Sequence, residues 1–278
     1  MSLSVADALR DGLGRTFERS GLQLVAVFLA VRLVSAVATN TLNRANLTLA
    51  EELGALPSDF AASPFAGLAD APTPFALGIG LAGAWVLFVA VALAAEAARI
   101  VAVRTMAAED PTAIPVDARR GLGTATVNGF VGGLIVYTLT TLGLVVLVVP
   151  GLFLAMAFFF VRQEIALRDV NFVEAMGGSW ERSAGNRLEL FGLAVAIFLV
   201  GVAGSVPGFV LSAASPAASA LVSAVIRAFV VVFAIASVTR AYVQLREDDD
   251  GADEPEPDPY EGALGPDDLP EPDAENAP

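Results

Sequence analysis

Few residues in this chain can do chemistry, and the most unusual are two arginines. Arg32 and Arg227 each lie about ten residues inside a long apolar stretch, which at ~1.5 Å per residue puts both near the middle of a bilayer. An arginine at the centre of a span costs roughly 2.5–3.5 kcal/mol on insertion scales, so it normally faces the bundle interior or a wet cavity. No acidic residue lies at the same depth. The pair is therefore a candidate cradle for an anionic ligand, such as a lipid phosphate, in a cleft between the first and last spans. The competing reading is that both side chains snorkel to the interface or cap carbonyls of broken helices.

The remaining inventory excludes much. All 16 basic residues are arginine, and the chain has no lysine, histidine or cysteine. Disulfides, thiolate nucleophiles, Cys/His zinc sites, histidine bases and Schiff-base lysines are thereby ruled out. Carboxylates are the remaining acid–base groups. Glu96 and Glu164 fall at the ends of apolar stretches, and Glu164 stands four residues before Arg168, the favourable order for a helix-supporting ion pair. Asp169, Glu174 and Glu181 follow, but their spacing alone does not converge on a metal. No phosphate-binding loop, dinucleotide fingerprint or nucleophile elbow occurs with the right flanks. The expectation is a protein with no catalytic residue, no metal and no cofactor.

These residues must be positioned by membrane-spanning helices. The chain has 278 residues, 55% of them hydrophobic and 17% charged, with a mean hydropathy of +0.67. That composition needs a lipid solvent. Six stretches approach the ~20 residues of a bilayer crossing: Leu22–Thr39, Phe75–Ala95, Val127–Val149, Gly151–Ile165, Leu188–Val206 and Ala217–Val238. The fourth is short and needs tilt or local thinning. Pro150-Gly151 and Pro207-Gly208 read as hairpin tips. The expected fold is an all-α polytopic membrane protein with an amphipathic N-terminal helix over 1–21, a six-span domain over 22–246 and a disordered acidic tail over 247–278.

Charge sets the expected orientation. With the N-terminus inside, 13 of the 16 arginines fall on cytoplasmic segments and only Arg44 lies outside. Both termini are then cytoplasmic, and Asn40–Pro74 and Pro207–Pro216 become external loops. The first of these holds Asn46-Leu47-Thr48, a glycosylation sequon with Asn46 as acceptor. Residues 247–278 carry 14 of the 30 acids and no base, so the net charge of −14 belongs to the tail. A neutral body excludes nucleic-acid binding. The tail is either a solubilising extension or a docking site for a basic membrane partner. Absent lysine, the acidic tail and Ala/Val/Gly richness point to a high-salt archaeal source.

Three amphipathic segments precede the three helical hairpins. They share an acid-alanine pair (Asp7-Ala8, Asp117-Ala118, Glu174-Ala175), and either a basic pair or an aromatic-Glu-Arg-Ser run. Three repeated units of surface helix plus hairpin are expected, and repeat proteins often place function at the repeat interface.

The most distinctive stretch runs from Pro150-Gly151 through Phe158-Phe159-Phe160 and Glu164 to Ser179-Trp180 and Gly185-Asn186. It resembles the glycerophosphodiester phosphodiesterase membrane-domain-like group of multi-span proteins. The resemblance implies a six-span domain of unknown biochemical role and gives no catalytic residue to carry over, since phosphodiester hydrolysis in fused members belongs to a separate soluble domain. Three functional readings follow. A non-enzymatic scaffold or accessory subunit fits the missing catalytic residue types, whereas a transporter or lipid-handling protein fits the arginine pair. An intramembrane enzyme using Glu96 or Glu164 is the weakest.

Overall fold

In lipid, a helix is the segment that satisfies its own backbone hydrogen bonds, and the apolar runs of this chain fold accordingly. The structure, a computed structural model, describes residues 3–54, 75–110 and 112–252. The elements are α1 (Val5–Phe17), α2 (Arg19–Glu52), α3 (Leu81–Ala107), a 3-10 turn (Val116–Arg119), α4 (Leu122–Val146), α5 (Val148–Ala157), α6 (Val161–Arg168), α7 (Phe172–Ser183), α8 (Arg187–Ser212) and α9 (Pro216–Ala252). No strand occurs among the described residues. With α5 and α6 counted as one broken crossing, six helices are long and apolar enough to span a membrane. Their outward faces are apolar, as at Val86 (71% exposed), Val145 (78%) and Phe209 (80%), which is the surface expected against lipid.

Several expected boundaries move, each for a local reason. α2 continues through Asn40 to Glu52, so the first part of the expected external loop is helix. No proline or glycine interrupts that stretch, and Asn40, Thr41 and Thr48 bond carbonyls four residues back. Asn46 is consequently an exposed helical residue and not a loop residue. The second crossing begins at Leu81 after Gly80, and continues past Ala95 to Ala107.

Pro150 does not mark the tip of its hairpin. The chain turns at Leu147, which is extended, and Pro150 sits in the first turn of α5, where its missing N–H has no helical partner to lose. Gly151 packs against α4 so closely that a Cβ on Gly143 would lie 2.8 Å from the Gly151 Cα. Pro207-Gly208 likewise lies inside α8, and the expected external loop shrinks to the residues between Ser212 and Pro216. Ser205 donates to the Val202 carbonyl at 2.6 Å beside the proline, and Ser219 of α9 donates to the Gly208 carbonyl at 2.7 Å. The second of these bonds ties α9 to α8 beside the proline. At the other end of the chain α9 runs to Ala252, so the first residues of the expected tail are helical; 253–278 lie outside the described residues.

The fourth crossing is broken at Phe158-Phe159-Phe160. Ser179 of α7 repairs the break: its hydroxyl accepts from the Phe160 N–H and donates to the Ala157 carbonyl, each at 3.0 Å. Ser183 donates to the same carbonyl at 3.2 Å.

The three linker segments occupy related places. Each packs on the C-terminal end of the second helix of the hairpin before it, in cyclic order: the 3-10 turn on α3, α7 on α6, and α1 on α9. All three acid-linked alanines are buried: Ala8 at 0%, Ala118 at 1% and Ala175 at 0% exposure. The receiving helices also match. Ile100, Glu164 and Tyr242 are fully buried, and each is followed four residues later by an arginine: Arg104, Arg168 and Arg246. The middle linker departs from expectation, being a four-residue 3-10 turn and not an amphipathic helix, because Pro115 directly before it and Gly121 two residues after it limit its length. α1 packs on the protein body. Its Ala8, Gly12 and Thr16 face α9, and a Cβ on Gly12 would lie 2.7 Å from the Ser237 backbone nitrogen. Arg15 donates to the Ala108 carbonyl at 2.6 Å, and burial, with Arg240 nearby, pulls its pKa below the usual value.

Because Ser179 serves a buried backbone break, Ser179→Ala is expected to cost ~1–3 kcal/mol through the orphaned Phe160 N–H. A lowered unfolding midpoint of the purified protein in mixed micelles is the readout.

Candidate functional site

The structure brings Arg32 and Arg227 together. α2 carries the first and α9 the second, and both line one cavity of about 490 Å³ whose opposite wall is α8. Ile197, Phe198 and Val202 supply the apolar part of that wall, and Ser205 a hydroxyl. A second cavity of about 500 Å³ continues from Arg227 past Ser219 and Ser223. Among the described residues neither arginine makes an ion pair or hydrogen bond. Each offers five N–H donors and no acceptor, so the groove is complementary to an anion.

Glu164 is placed differently. Its side chain is 0% exposed and accepts from Arg168 and Arg182, each at 3.0 Å. Arg182 also lies over the Tyr242 ring, 4.9 Å from its centroid, and Phe160 meets the same ring edge-on at 5.5 Å. The carboxylate thus ties α6 to α7, and its arginine partner carries the contact to α9. Gly178 makes room for it, since a Cβ there would stand 3.0 Å from the carboxylate.

The other residues of the distinctive stretch also have structural partners. Trp180 packs on Phe153 and Phe158 at 5.6 and 5.9 Å, with Arg187 over its ring at 4.9 Å. Gly185 has φ +84°, a conformation that glycine adopts without strain. Asn186 accepts from the Leu3 N–H at 3.3 Å and ties the start of the described chain to the bundle. Pro150 and Gly151 shape the α4–α5 hairpin described above.

A second buried carboxylate emerges at Glu96, which the sequence reading placed only at the end of a span. Arg162 grips it with Nε at 2.7 Å and Nη2 at 3.3 Å, and Arg99 adds Nη1 at 3.1 Å. The available signal was that Glu96 and Arg162 end the second and fourth crossings on the same side. Outside the spans, Asp169 is paired with Arg104 and with Arg120, the latter at 2.6 Å. That hydrogen bond pushes the Arg120 pKa up.

The Glu164 node predicts a sharp contrast. Glu164→Leu takes its carboxylate away from Arg182, which is only 15% exposed, and should cost ~3–5 kcal/mol. Arg168→Gln, at a half-exposed partner, should stay within ~1 kcal/mol. Denaturant midpoints of the two variants in micelles measure the difference.

No curated protein and no solved structure matches this chain. Residues 3–245, the described bundle almost end to end, match a family described as a domain of unknown function, and that match carries no support for the resemblance of the stretch from Pro150 to Asn186. The chain belongs to this family, DUF7847.

Proposed function

We propose that this protein is a non-catalytic lipid-handling membrane protein that holds an anionic headgroup in the groove between Arg32 and Arg227. One observation carries the reading: two mid-span guanidiniums face one cavity with no protein anion to meet either among the described residues. Leaving both charges uncompensated in the bilayer is costly, and a phosphate would offset them. The apolar wall of Ile197, Phe198 and Val202 suits an acyl chain. A headgroup bound there is part-way between the leaflets, the place that a lipid crossing the bilayer must occupy.

Catalysis has less support. Histidine, cysteine and lysine are missing, and both buried carboxylates are held by arginines. The 14 acids of residues 247–278 favour a second role as a scaffold or accessory subunit that docks a basic partner.

Native mass spectrometry of gently extracted protein tests the groove. Wild type should carry a discrete anionic-lipid mass that Arg32→Leu/Arg227→Leu loses; an adduct indifferent to the double substitution refutes the reading.

We further assign the arginine-rich end of the bundle, where all three linkers pack, to the cytoplasm, with both termini inside. The cysteine-free chain makes the check direct. An impermeant maleimide added to intact cells should label Ala214→Cys and spare Thr112→Cys; the opposite pattern inverts the assignment.

A further inference from the structure

The Glu96 node borders a cavity of about 350 Å³ walled by α2, α3, α4 and the start of α6. It is separate from the Arg32–Arg227 groove and does not rest on the reading given to that groove. Both oxygens of Glu96 are already taken, and the carboxylate is only 5% exposed. The two arginines are not used up: Arg99 is 42% exposed and Arg162 36%. Nη1 of Arg162, and Nε and Nη2 of Arg99, have no acceptor among the described residues. Two guanidiniums against one carboxylate leave one positive charge over, so the charged end of the cavity offers donors and a single excess cation.

The rest of the cavity is apolar. Phe88 lies two helical turns before Glu96 on α3, ~12 Å along the axis, and Phe130 and Leu134 face it from α4. Leu134 is 55% exposed, so the apolar end opens sideways toward lipid. A cavity cationic at one end and apolar at the other, with a lateral mouth, has the shape and polarity of an amphiphile. Gly129 helps create it: a Cβ there would come within 2.9 Å of Glu96 Oε1 and displace the carboxylate that positions both arginines.

We propose that this cavity is a second binding site, which takes the head of a monoanionic amphiphile on Arg99 and Arg162 and its chain along Phe88 and Phe130. The head chemistry is shared by a fatty carboxylate and a phospholipid phosphodiester. Glu96 is a positioning residue, fixing the guanidiniums without touching the ligand.

Trp85 reports on the site because it meets Phe88 edge-on at 5.9 Å. In full-length protein with Trp180→Phe, Trp85 is the remaining tryptophan, and bromine on an acyl chain quenches it at close range. Three probes are titrated in micelles: brominated oleate, brominated-chain phosphatidylglycerol and neutral brominated-chain diacylglycerol. Saturable quenching by one or both anionic probes, and not by the neutral one, is expected; the probe that saturates identifies the head. Arg99→Gln should raise the half-saturating concentration about tenfold by removing one charged donor, while Arg32→Leu/Arg227→Leu should leave it unchanged. Gly133→Leu fills the cavity where the nearest side-chain atom to a new Cβ is 3.8 Å away, and should abolish saturation even if Arg99→Gln fails to fold. Equal quenching by the neutral probe, or saturation indifferent to Gly133→Leu, overturns the proposal.

Discussion

A helix broken inside a bilayer must find new partners for the backbone groups it frees, and the break at Phe158-Phe159-Phe160 organises much of this molecule. Ser179 meets that demand from α7, so the linker helix must lie against the fourth crossing. Once it does, Arg182 reaches Glu164, and the guanidinium covers Tyr242 of α9. Phe160, the last residue of the break, meets that same tyrosine edge-on. Leu3 and Ala8 pack into the cluster formed by Phe160 and Tyr242. One backbone constraint thus connects the fourth crossing, the elbow after it, the last crossing and the beginning of the chain.

The charges of the bundle fall into two classes. Glu96 and Glu164 are buried and saturated by arginines, so their energetic role is to lock helices in place. Arg32 and Arg227 have no such partner among the described residues, and a lipid-facing cavity joins them. Arg99 and Arg162 stand between the classes, each bonded to Glu96 yet retaining donors toward a cavity. A membrane protein tolerates uncompensated charge only where water or a ligand can reach it. The two binding sites proposed above lie at these half-saturated and unsaturated arginines.

The near-threefold order follows from the same packing. Each linker caps the end of a preceding hairpin with a buried alanine, and each receiving helix presents a buried residue four positions before an arginine. The units differ at their centres. The three central positions hold Ile100, Glu164 and Tyr242, so only one unit places a carboxylate there.

Much of this was legible in the residues. Length and hydropathy are local sums, so the lipid environment, the all-helical class and the six crossings follow from the sequence alone. Equal depth of Arg32 and Arg227 followed from counting residues along two helices. The helix ends at Glu52, Leu147 and Ser212 were harder, because Pro150 and Pro207 read as breakers and yet lie within helices supported by a first-turn position or by neighbouring serines. The Glu164–Arg168 pair was legible from its spacing, but which arginine of another helix meets which acid was not. Pairing depends on how each helix is rotated about its axis and how closely it approaches its neighbour. Contacts at Gly129, Gly151 and Gly178 decide that, across distances in the chain over which no local pattern runs.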